Sequence, residues 1–173
     1  MRRLIILIAA SALALSAVGV VFANGNSSKG SFKASLGGFQ EVPAISTTGS
    51  GRFTAKLNDA GTALEYTLTF ANLKGGNAGA AHIHLGQAGV NGGVAAWLCG
   101  GGGEAACPGT GGTVSGTILA GEVVAIPAQG LAAGDLNALL NAMRSGVTYV
   151  NVHTPTFGGG EIRGQIKGSG RGD

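Results

Sequence analysis

From residue 32 onward the chain alternates apolar and polar positions in short runs, each cut off by Gly, Pro, Asn, Asp or Ser. Alternation with a period of two sends successive side chains to opposite faces of an extended strand. Runs at 32–36, 51–57, 64–70, 80–85, 94–98, 113–119, 147–153 and 161–167 therefore read as strands,. Between the second and third, Asn58-Asp59-Ala60-Gly61 predicts a hairpin turn,. One segment has a different period. Leu136, Leu139, Leu140 and Met143 recur at helical spacing behind Asp135, a capping residue, and ahead of Gly146, a stop,. A short helix over 135–144 follows, expected as a lid or edge cover. No solenoid repeat is visible. The pattern predicts an all-β, antiparallel sandwich or barrel with one short helix.

The start of the chain breaks this rhythm. Arg2 and Arg3 precede an apolar run over 4–21, and Val21-Phe22-Ala23 has the form of a signal-peptidase site,. Residues 1–23 are expected to be a secretory signal cut after Ala23. The alternative is a retained anchor, because the run approaches spanning length. Residues 24–31 then form a polar linker, 32–167 the domain and 168–173 a tail. Loss of Arg2 and Arg3 takes the formal charge from +3 to +1, so nothing points to a nucleic-acid partner. The 34 glycines suit tight turns and loops on a β scaffold better than helices,.

Cys99 and Cys107 enclose a Gly-rich stretch inside a longer loop over 100–112. In an exported chain a disulfide is favoured over a pair of thiolate metal ligands.

The three histidines, His82, His84 and His153, all fall on predicted strands that run into Gly-rich segments. Along 80–85, His82 and His84 share one face while Ala81, Ile83 and Leu85 share the other. Along 147–153, Tyr149, Asn151 and His153 oppose Val150 and Val152, and along 161–167 Glu161, Arg163 and Gln165 oppose Ile162, Gly164 and Ile166. The aliphatic faces form the core, which puts the histidines on the outer faces of the sheets. Two imidazoles from a His-x-His strand can reach one ion, and a third from a paired strand completes a trigonal set. Neutral imidazole favours copper or zinc over calcium or magnesium. Glu161 and Arg163 either pair with each other or orient a ligand imidazole; Asn151 and Glu41 are further candidates for that supporting role.

The stretches "LGGFQEVPAISTTGSG", "AAHIHLGQAGVNGGV" and "YVNVHTPTFGGGEIRGQI" resemble the CHRD domain, a module named after chordin and found in exported bacterial proteins. The resemblance spans about residues 32–166. It implies a β-sandwich of immunoglobulin-like or superoxide-dismutase-like build, with a poorly defined biochemical role. One departure is a single proline after Glu41-Val42, where two are common; the Cys99–Cys107 loop is another. A weaker resemblance links the His-x-His strand and the distant histidine to the copper ligands of copper/zinc superoxide dismutase, without the histidines and aspartate of its zinc site.

Other signals carry little. Gly86, Gly89 and Gly92 lack the Gly-Lys-Ser/Thr and the helix of a phosphate loop and read as turn chemistry,. No Gly-x-Ser-x-Gly elbow supports a serine hydrolase. Arg171-Gly172-Asp173 is read as a chance match in a Gly-rich tail. Three functions then compete: an exported copper- or zinc-binding module; a metal-free scaffold of the cell envelope, whose partners would be envelope or extracellular proteins; and a copper oxidoreductase. Placement in the periplasm, in the cell envelope or outside the cell is expected, with no membrane contact after cleavage.

Overall fold

The computed structural model describes residues 30–168. The expected leader over 1–23, most of the linker and the Arg-Gly-Asp tail lie outside the described residues. Strands run β1 Ser31–Gly37, β2 Ser50–Leu57, β3 Ala63–Ala71, β4 Ala80–Leu85, β5 Gly93–Cys99, β6 Gly112–Leu119, β7 Thr148–His153, β8 Ile162–Gln165 and β9 Lys167–Gly168, with helix α1 at Leu136–Ser145. They form one antiparallel sheet in the order β5-β4-β7-β8-β1-β2-β3-β6, with β9 beside β1. The sheet curls into a nearly closed barrel: the end strands β5 and β6 lie against each other, and Tyr66 of β3 donates its hydroxyl to Leu98 O of β5 at 2.7 Å.

Local chemistry explains most of the boundaries. Asn58 Oδ1 accepts the backbone N–H groups of Thr62 and Ala63 to fold the β2–β3 hairpin,. Asp135 caps α1 by accepting from Ala138 N, and Gly146 ends it in the left-handed conformation,. Its Leu136, Leu139, Leu140 and Met143 are buried within the main core. The helix is thus part of that core, a closer fit than the expected lid.

The last predicted strand divides. Glu161 lies outside it, and Ile166 interrupts the ladder between β8 and β9. The interruption has a partner, since Ile166 N–H donates to Thr148 O. Cys99 and Cys107 are joined by a disulfide that closes a loop with a sequence separation of 8.

The core is lined by the aliphatic faces expected from the alternation, among them Phe53, Leu64, Leu68, Ile83, Val150, Val152 and Ile162. Ile83 is wholly buried. Replacing it with Ala is expected to cost about 2–5 kcal/mol of stability, read from urea unfolding curves. Loss of the small Cys99–Cys107 loop closure, by a double substitution to Ser, is expected to cost about 2–3 kcal/mol in the same measurement, against the oxidised protein.

Candidate metal centre

Strands β4 and β7 are direct antiparallel neighbours, with His82 opposite Asn151, His84 opposite Tyr149 and Ala80 opposite His153. This register gathers the three histidines on the face of the sheet turned away from Ile83 and Val150. One ligand nitrogen from each ring lies within 4.8 Å of the others. On the other side of β4, the register with β5 shifts between Ala81 and His82 and again between Ile83 and His84. Such irregularities re-aim side chains, and here Trp97 stands edge-on to His82, with ring centroids 4.2 Å apart.

The outer face does not stay in water. His82 and His84 are only 7 % and 8 % exposed. Residues 86–92 fold back over β4, and Gly92 O accepts from His84 Nδ1 at 2.9 Å. A side chain at Gly92 would collide with Leu85 O, so this close turn needs glycine,. The loop after β7 does the same for His153, whose Nδ1 lies 2.9 Å from Gly158 O.

These two bonds fix the ring chemistry. A carbonyl oxygen only accepts, so Nδ1 of His84 and of His153 carries the proton and each Nε2 presents a lone pair. His84 Nε2 and His82 Nε2 are buried without hydrogen-bond partners. His153 Nε2 lies 3.0 Å from His82 Nδ1 and 3.0 Å from Asn151 Oδ1. The Asn151 amide cannot be turned round to donate there, because its Nδ2 already donates to Gly159 O at 3.3 Å. His153 Nε2 thus accepts from His82 Nδ1, whose proton His82 would give up to an ion, and the His84 Nε2 lone pair is buried beside them,. Two nitrogens 3.0 Å apart can both reach an ion at bond lengths of about 2.0–2.1 Å, subtending an angle of about 90°. Three imidazole nitrogens are a donor type that suits copper or zinc, and from a spread of up to 4.8 Å the rings would have to draw in to meet one ion.

Burial first, then the proximity of His153 and His84, pulls His82 down to about 3. Burial also lowers His84 and His153, opposed in part by their bonds to Gly92 and Gly158. All three rings are unprotonated at neutral pH, the form in which imidazole binds a metal.

Arg163 and Glu161 do not pair. Glu161 is fully buried and accepts from Thr47 Oγ1, Lys74 N, Gly75 N and Thr154 Oγ1. Burial alone would raise its carboxyl, but these four bonds outweigh it and hold the group below its ordinary value,. They tie together the chain segments after β1, β3 and β7, and none of the four partners is a histidine. Arg163, also buried, donates to Gln87 O, Val90 O and Asn91 Oδ1, the carbonyls and amide of the loop over His84. Its guanidinium lies 3.3 Å from the centre of the Tyr149 ring, and Tyr149 stacks on His84 with centroids 4.7 Å apart,. Tyr149, Trp97 and the Gly92 and Gly158 carbonyls are the supporting groups that motif reading missed; Tyr149 alone was signalled, by sharing a face with Asn151 and His153.

Glu41 sits beside Asn151. A Cβ at Gly160, whose φ is +128°, would collide with both Glu41 Oε1 and Asn151 Nδ2. Glu41 Oε1 is buried without a hydrogen-bond partner.

The CHRD domain model matches residues 32–166. The chain belongs to the CHRD domain family. Neither the curated proteins nor the solved structures hold a significant match to it. The motifs that carry the CHRD likeness supply the site: Gln40-Glu41-Val42-Pro43 brings Glu41, His82-Ile83-His84 and His153 bring the imidazoles, and the segment around Arg163 brings the guanidinium.

Burial pushes the Glu41 carboxyl up to about 7, with Arg163 and the Val42 backbone opposing it. A carboxyl raised on folding costs stability as pH climbs from its unfolded value through the folded one, and the penalty is complete above about pH 7. Glu41→Gln is expected to raise stability by about 1–3 kcal/mol above pH 7 and to change little near pH 4. Histidines lowered on folding act in the other sense: stability is lost as pH falls below their unfolded value, and the loss continues down to the folded one, about 3 for His82,. The acid limb, set by the three histidines, should survive in Glu41→Gln. Urea midpoints measured from pH 4 to pH 9 check both limbs.

Proposed function

We propose that this CHRD domain is an exported metal-binding module that holds one copper or zinc ion through His82, His84 and His153, for storage or delivery. The observation that carries the reading is the convergence of three imidazoles in a largely buried pocket, two of them locked by carbonyl groups with Nε2 directed away from those bonds. A buried lone pair without a partner is costly to keep unless something fills it. Orientation of ligand imidazoles by backbone carbonyls is the usual way a protein fixes tautomer and ring plane around a metal. Copper and zinc suit this nitrogen set; calcium and magnesium, which take oxygen ligands, do not.

Export is supported by the disulfide, since such bonds persist in oxidising compartments,. The leader-like start of the sequence agrees with it. Among the described residues no helix is long and apolar enough to cross a membrane.

One observation favours a second reading. His82 Nδ1 and His153 Nε2 are already at hydrogen-bonding distance, so the cluster could fasten two loops without an ion, as a scaffold domain would require. Metal analysis of the purified chain separates the two. The expected result is one copper or zinc per chain, and at least about 100-fold weaker affinity in His84→Ala or His153→Ala with an unchanged circular dichroism spectrum. Absence of binding after incubation with Cu(I), Cu(II) and Zn(II), together with a loss of stability in the same variants, would leave the scaffold reading standing.

A further inference from the structure

A second feature lies away from the histidines, on the outer face of β9, β1 and β2. Lys33, Arg52, Lys56 and Lys167 all project from it and are exposed. Among the described residues only Lys74 and Arg144 are exposed cations elsewhere, and Arg144 stands on α1, next to β9. The register sets Lys33 directly opposite Lys167 and places Arg52 opposite Ser35, one diagonal step from Lys33. Lys33, Arg52 and Lys56 thus stand close together on one face of two neighbouring strands. The single acidic side chain facing it from these and the adjoining β3 strand is Glu65, opposite Lys56.

The surface is also shaped. A cleft of about 440 Å³ is lined in part by Ser31, Lys33, Arg52, Thr54, Lys56 and Glu65. A neighbouring one of about 430 Å³ adds Ser35, Gln40, Gln165 and Lys167 and shares Lys33 and Arg52 with the first. The two make a continuous shallow trough of cations, hydroxyls and amides. Phe39, the neighbour of Gln40 in the chain, is 82 % exposed and has no part in the core.

We propose that this trough binds an acidic polysaccharide, one bearing carboxylates on its sugar rings. Lys33, Arg52 and Lys56 pair with the carboxylates, Gln40 and Thr54 meet ring hydroxyls, and Phe39 offers an aromatic face against the apolar side of a sugar. Two other polyanions fit less well. A nucleic-acid strand needs several stacking aromatics interleaved with the cations, and Phe39 is alone. A membrane surface favours an amphipathic element with a continuous apolar side, whereas the exposed side chains of this face are Lys33, Ser35, Arg52, Lys56, Glu65 and Lys167. The inference does not depend on the histidine site.

The test uses the full exported chain and polygalacturonate oligomers, with neutral dextran and vesicles of phosphatidylglycerol as comparisons. Expected are binding to polygalacturonate that weakens as salt is raised, at least about tenfold weaker binding in the charge reversal Lys33→Glu/Arg52→Glu, and about threefold weaker binding in Phe39→Ala. Both variants alter exposed positions, so circular dichroism and metal content should match the parent chain. Failure to bind polygalacturonate, equal binding to dextran, binding untouched by the charge reversal, or stronger binding to the vesicles would each overturn the proposal.

Discussion

Taking the Arg163 guanidinium out of water is the constraint on which the histidine face depends. A buried cation must be matched by acceptors or it destabilises the fold. Here the acceptors come from the loop over 86–92, and an aromatic face comes from Tyr149. Holding that loop down brings Gly92 O onto His84, and holding Tyr149 in place gives His84 a flat surface to lie on. One charged side chain thus orders both the cover and the seat of an imidazole it does not touch. A lysine could not replace it, because the arrangement uses a planar group with several divergent donors.

Glu161 plays the matching part on the other side. Its four hydrogen bonds knit the ends of three loops into one buried point. The acid and the base, two residues apart in sequence, face separate networks because each is better satisfied by backbone and hydroxyl groups than by the other. Around β4, β7 and β8 the sheet is consequently buried on both sides, apolar beneath and polar above. The polar layer is closed by glycine-rich segments whose chain passes so near the strand that side chains would obstruct it, as at Gly92 and Gly160.

The far side of the barrel obeys simpler rules. On β2, β3 and β6 one face is in the core and the other carries hydroxyl pairs such as Thr67 with Ser115 and Thr69 with Thr113, cross-strand neighbours that bond in the open,. The asymmetry between a loop-covered face holding the histidines and an open face holding the lysines follows from where the long connections fall.

The alternation of apolar and polar residues determined, without further help, that this is an antiparallel β protein, which residues fill its core, where its helix is capped and that its histidines share a face with Tyr149 and Asn151. Those are properties of single segments, set by a strand's period of two, a helix's period near four and the chemistry of caps and turns. What the three-dimensional arrangement decided was everything that joins segments distant in sequence. That β4 lies beside β7, so that His82 and His84 meet His153, is a matter of strand pairing. That Glu161 and Arg163 part company, and that an outer face becomes a buried one, depends on where loops settle. Loop backbone carries few side-chain signals of its destination, since its carbonyl and amide groups are the same at every residue and only the folded chain selects which of them a histidine or an arginine will meet.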